Sequence, residues 1–166
     1  MIEQLSNPAY QHLLINHVPI IGIVMGLVGL GVAFLTRQRI AFLPALTILV
    51  VAGASAWPVY ETGSNAYKPI RKIADAAGID WLDTHMDRAD QAMWTFYVLA
   101  AVAALAIVLP IKWPTSSLPL AIATAVVAVA CLGVAGWIAE AGGRVRHPEL
   151  RPVGENAPEV VHDHEH

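Results

Sequence analysis

Four long apolar runs dominate the chain, separated by two short turns and one long polar stretch. They cover Leu13–Leu35, Ile40–Trp57, Ala92–Leu109 and Leu118–Ala139. Each approaches the roughly 20 mostly apolar residues that one helix needs to cross a bilayer. The runs show no apolar/polar alternation of the kind that marks strands of a membrane barrel. A chain in lipid must satisfy its own backbone groups, so the pattern predicts an all-α fold: a four-transmembrane-helix up-down bundle over residues 1–147. Between the second and third spans, the stretch from Tyr60 to Trp81 reads as a turn followed by a short interfacial helix over residues 69–77. That helix would start at Pro69 and lay Ile70, Ile73, Ala74 and Ala77 against the headgroups, with Trp81 as anchor. The polar, proline-spaced segment 148–166 is expected to be a disordered tail.

Composition agrees with this picture. The chain is 56% hydrophobic and only 14% charged, where a soluble domain carries about 25% charged residues. The lipid bilayer is therefore the first partner. The net charge of −3 comes without a basic cluster, so no nucleic-acid partner is expected. Cys131 is the sole cysteine and lies midway along the fourth span; it cannot form an internal disulfide and reads as a buried, inert thiol. Without C-x-x-C-H there is no covalent c-type haem attachment. No Lys or Arg precedes the first span, which is too long for the apolar region of a signal peptide. No nucleophile stands beside a base, so the chain is not expected to be an enzyme.

Charge flanks set an expected orientation. Glu3 precedes the first span, and Arg37 and Arg39 follow it directly. With Lys112 in the other short turn, this places both termini outside the cytoplasm. Raw counting opposes it through Lys68, Arg71, Lys72, Arg88, Arg144, Arg146 and Arg151, but Glu61, Asp75, Asp80, Asp83, Asp87 and Asp90 offset the middle loop.

Whatever the orientation, an up-down bundle gathers one set of polar residues on one face: His12, Asn16, His17, Tyr60, Glu61, His85, Asp90, Glu140, Arg144, Arg146 and His147. The opposite face receives two turns with little chemistry. Asn7–Pro8 reads as a helix start, and Pro19 either kinks the first span or lies in the first turn of a helix capped by Asn16. Gly22, Gly26 and Gly29 permit close helix approach. Thr84 followed by Asp87 reads as a capping box, so that His85 would open the third helix. The terminal HDHEH run is a weak metal-capturing composition.

The stretch "HLLINHVPIIG" has the form H-x4-H-x-P-I, and it resembles the opening of bacterial four-span membrane proteins of unknown function. Similar proteins share a Y-x-T-G-like exit from the second span (Tyr60–Gly63), a histidine entering the third (His85) and a "GG-x-V-R-H-x-E" close (Gly142–Glu149). In this chain Met86 follows His85, where acidic residues are common in the family. The resemblance implies that His17, His85 and His147 belong together. It also implies a bacterial inner-membrane protein with its polar face and both termini periplasmic.

Three functions fit. The first is b-type haem (haem b) for electron transfer, with His17 and His85 as axial ligands from diagonal helices, Arg144 and Arg146 for the propionates, and His12 or His147 at a second site. The second is a divalent-metal site drawn from His17, His85, Glu61, Glu140, His147 and Glu149, although no compact ligand motif such as H-E-x-x-H is present. The third is a non-catalytic subunit or scaffold of a membrane complex. Partners would be a redox protein, complex subunits or a second copy of the chain.

Overall fold

A computed structural model describes residues 6–152. Asn7 begins the first helix as expected: its side chain accepts from the Ala9 N–H at 2.9 Å, and Pro8, with no N–H to leave unpaired, takes the first turn. In chain order the helices are α1 (Pro8–Ile15), α2 (Val18–Thr36), α3 (Arg39–Ala54), α4 (Ala56–Arg71), α5 (Ala76–Ala92), α6 (Trp94–Lys112) and α7 (Ser117–Arg146). Short 3-10 turns lie at Pro114–Ser116 and Pro148–Leu150. Helices α1–α2, α3–α4 and α5–α6 run nearly end to end beside α7, giving four helical rods long and apolar enough to cross a membrane. The protein is an all-helical, multi-pass membrane protein.

The rods make two storeys. In the apolar storey α2 packs on α3, α3 on α6, α6 on α7, and α7 back on α2, which closes an up-down ring. Its buried residues repeat every three and four positions: Ile23, Gly26, Leu30 and Ala33 on α2, Phe96, Leu99, Ala103 and Ala106 on α6, and Ala121, Thr124, Ala128, Cys131 and Ala135 on α7. That spacing produces left-handed crossings, and the small side chains let backbones approach where lipid offers no hydrophobic drive between helices. The glycine stripe of the first span serves this packing. A Cβ on Gly26 would stand 2.5 Å from Leu49, and one on Gly22 would stand 2.7 Å from the Ala52 Cβ. Large apolar residues such as Ile21, Val28, Leu35, Val108 and Ile111 face outward, as a lipid-facing surface requires.

Beyond Trp57, Trp94 and Trp137, which are exposed at one end as an interfacial aromatic belt would be, the second storey begins. Here α1 packs on α4, and α5 packs on the last turns of α7.

Three expectations are revised. The separate interfacial helix over 69–77 does not form: α4 runs unbroken to Arg71, and α5 starts at Ala76. The turn-prone Thr62–Gly63–Ser64–Asn65 is helical because tertiary packing overrides weak propensity; Ala66 is buried and Tyr67 donates to Asp83 at 2.6 Å. The third rod opens at Asp75, whose side chain accepts from Gly78 N–H at 2.8 Å. Thr84 is therefore interior to α5 and donates to the Asp80 carbonyl, and His85 sits mid-helix. Finally, the described chain continues past His147 to a docked Arg151, while residues 153–166 of the expected disordered tail lie outside the described residues.

Arg151 is a latch between α5 and α7. Its side chain is 2% exposed and meets Asp75 at 2.6 Å, and it donates to the carbonyls of Arg144 and Val145 at 2.9 and 3.1 Å. These are the orphan carbonyls that end α7. The Arg151 guanidinium, followed by the Gly78 N–H, holds the Asp75 carboxyl below its usual range. A lowered carboxyl contributes its stability in full above the unfolded value of about 3.9 and loses it as pH falls through the lowered folded value. Amide exchange over 144–151, corrected for intrinsic rate, should therefore accelerate only below about pH 4. Asp75→Asn should show that acceleration already at neutral pH. Equal exchange in the two proteins at neutral pH would contradict the latch.

Candidate functional site

The first rod breaks at Asn16–His17. Asn16 closes α1 with its N–H on the His12 carbonyl, and the His17 carbonyl accepts from Ile21 at 2.9 Å to begin α2. Pro19 lies in the first turn of α2 behind His17, which contributes no side-chain cap. His17 faces outward and is exposed.

His12 turns the other way. A five-residue step rotates a helical position by about 140°, so His12 and His17 cannot face the same neighbour. It is His12 that meets His85. Their ring centroids are 6.5 Å apart with planes at 78°. Each ring is held in the same manner. His12 Nδ1 lies 3.0 Å from the Val59 carbonyl on α4, and His85 Nδ1 lies 2.9 Å from the Ile138 carbonyl on α7. A carbonyl can only accept, so each Nδ1 carries the hydrogen and donates it. In the neutral ring each Nε2 then keeps its lone pair, the state that metal-ligating histidines are fixed in by their outer-shell partners.

Both rings fit because a glycine stands one turn beyond each accepting carbonyl. A Cβ on Gly63 would lie 3.0 Å from His12 Cε1, and one on Gly142 would lie 3.0 Å from His85 Cε1 and Nδ1. The two halves thus repeat a motif that scanning for chemical signatures passes over. Val59-x-Glu61-x-Gly63 on α4 matches Ile138-x-Glu140-x-Gly142 on α7. Carbonyl and glycine are four apart, hence on one helical face. Aligning the second and fourth span exits exposes the repeat.

The two halves face each other with little helix-to-helix contact between them. Within the α1–α4 and α5–α7 pairs the helices are closely packed, whereas between the pairs only α4 and α5 make more than slight contact. That side is bridged by Tyr60 donating to Asp90 at 2.6 Å and Tyr67 donating to Asp83 at 2.6 Å. Asn16 Oδ1, one turn from His12 on α1, is buried with no hydrogen-bond partner. Cavities of about 410 and 260 Å³ lie at the opposite end of the bundle, around Phe34, Phe42 and Pro114 and around Leu46, Ile107 and Pro110.

The remaining expected ligands do not converge on the pair. Glu140 is taken by Arg88 at 3.0 Å and Arg144 at 2.9 Å. Arg88 also lies over the Trp137 ring, and Arg144 lies over Trp81 at 4.4 Å. Arg146 and Glu61 are exposed. His147 bonds Glu149 at 2.9 Å; that carboxyl is held below its usual range first by its own N–H and then by the imidazole. Among the described residues no group of three or more His, Cys, Asp or Glu side chains is placed to hold a metal ion. The set His17, His85, Glu61, Glu140 and His147 is therefore not one site, because its members sit on outward faces or are engaged elsewhere. Cys131 is buried with its thiol on the Thr95 carbonyl.

Comparison of the chain with protein-family models, curated proteins and solved structures yields no match. What the molecule presents is a membrane bundle with a paired-imidazole site at one face.

In protein labelled with ¹⁵N-histidine and free of added cofactor, His12 and His85 should both appear as the Nδ1–H tautomer at neutral pH. Gly63→Val should abolish the His12 signature alone, and Gly142→Val that of His85 alone. An Nε2–H tautomer at either ring would refute the assignment.

Proposed function

We propose that this protein is a b-type membrane cytochrome that carries single electrons, with His12 and His85 as the two residues that would hold one haem. The observation that carries the reading is the pair's geometry. Two imidazoles bound in line to one ion, at about 2.0–2.1 Å per bond, place their ring centres about 6.4 Å apart, whereas a tetrahedral angle brings them to about 5.2 Å. The separation here is 6.5 Å.

Ligand number favours the same reading. A bare divalent ion takes four or more protein ligands or waters, and only two imidazoles meet here. Haem brings four nitrogens of its own and asks the protein for two. A planar ring also needs room between helices, and the sparse packing between the α1–α4 and α5–α7 pairs is in keeping with that. The residues that carry the resemblance to bacterial four-span proteins include His12, Gly63, His85 and Gly142, all at this site. On this reading the protein belongs to that family, in a bacterial inner membrane with its histidine face periplasmic.

Bound haem would supply an iron that gains and loses one electron. The chain's own residues fix the rest. Val59 and Ile138 set ring tautomer and orientation, and Gly63 and Gly142 leave room for the rings. The Arg88–Glu140–Arg144 cluster holds α5 to α7 so that His85 keeps its place. Arg146, exposed one turn beyond Gly142 on α7, is a cation that would be available to a propionate.

Protein produced with ample haem should purify with a low-spin Soret band. His12→Ala and His85→Ala should each abolish the low-spin form, while His17→Ala should keep it. Colourless wild-type protein would overturn the proposal: stoichiometric metal would then indicate a metal site, and no metal a scaffold role.

A further inference from the structure

Resting on the haem reading, we infer that electrons enter and leave this protein at the histidine face alone, exchanged with water-soluble one-electron carriers there, and do not cross the membrane through it.

The site sits at the aromatic belt and on its water side. Its accepting carbonyls follow Trp57 by two residues and Trp137 by one, and His85 precedes Trp94 by nine. Arg88, Asp90 and Glu140 surround it, and such charges are not held at hydrocarbon depth without cost. From there to the far face runs the whole of α2, 19 residues or about 28 Å. Along that path nothing can relay an electron. Val18–Thr36, Ile40–Val59, Trp94–Ile111 and Ser117–Trp137 contain no histidine and no charged residue. The remaining iron-ligating types there are Met25 and Tyr97, both exposed, and Cys131, whose thiol is on the Thr95 carbonyl; Tyr97 stands three residues from Trp94, at the near end of the span. Tunnelling decays exponentially with distance, so a single haem at one edge of this span is insulated from the other. The far turns, with Arg37, Lys112 and Trp113, hold no histidine either.

Access on the near side is different. Helix α1 makes no more than slight contact with α5 or α7, so that side of the histidine pair is not walled by helix packing. A haem held by His12 and His85 would take one electron from a reduced carrier on that side and give it up to an oxidised one. No bond is made or broken, and no proton is required.

The test uses haem-loaded protein in vesicles that enclose ferricyanide. Ile73 is exposed in the α4–α5 turn, so Ile73→Cys labelled by an impermeant maleimide counts the molecules whose histidine face points outward; Cys131 is buried. External dithionite should reduce that fraction of the haem and no more. Once dithionite is removed, the haem should stay reduced despite ferricyanide inside, and external ferricyanide should reoxidise it. Reoxidation by the enclosed ferricyanide, or reduction beyond the labelled fraction, would overturn the one-face inference while leaving the haem reading intact. Protein without any haem band would overturn both.

Discussion

Two hydrogen bonds from imidazole Nδ1 to helix carbonyls govern the chemistry of this protein's polar face. A helix carbonyl is already engaged with the N–H four residues on, and its second lone pair is ordinarily screened by side chains of the following turn. Glycine at that fourth position removes the screen, which is the close backbone approach glycine permits. Each histidine then spends its Nδ1 hydrogen and keeps Nε2 for a ligand. Because the arrangement occurs on α4 and again on α7, two imidazoles are held in the same way, with ring centroids 6.5 Å apart.

The architecture places the histidine pair in the second storey, beyond the tryptophan belt. In the lower storey small residues at three-and-four spacing bring four rods together, and α2 and α7 close the ring. Above the tryptophan belt the rods form two pairs instead, joined through Tyr60–Asp90, Tyr67–Asp83 and the short α4–α5 turn. The lower storey is closely packed, while the two upper pairs make little contact with each other. Arg151 and the Arg88–Glu140–Arg144 cluster stiffen the α5–α7 side, which carries His85.

Much of this was legible from residue order. The four apolar runs, the Asn7–Pro8 start, the packing role of the glycine stripe, the inert Cys131 and the gathering of histidines at one face all follow from pattern. The facing partners do not. In lipid, outward Ile21 and Val28 are as apolar as buried Ile23 and Leu30, so hydrophobicity leaves the rotation of each helix unmarked, and His17 reads as well as His12. Rotation is fixed by where small residues let backbones meet. The helical course of Thr62–Asn65 was hidden for a related reason: its stability comes from α1 and α5, which are distant in sequence. Asp75 and Thr84 both look like helix caps; Asp75 prevails because Arg151 and the Gly78 N–H both meet its carboxylate.

The central claim is that His12 and His85 ligate one iron with nearly perpendicular rings. Electron paramagnetic resonance of the frozen ferric protein addresses it directly. If a bound haem iron kept the two rings at their 78° angle, two of its d orbitals would be nearly degenerate. The account therefore predicts a strongly anisotropic low-spin signal with an unusually large leading g value. A rhombic low-spin signal, the mark of parallel rings, or a high-spin signal from one ligand or none, would contradict it.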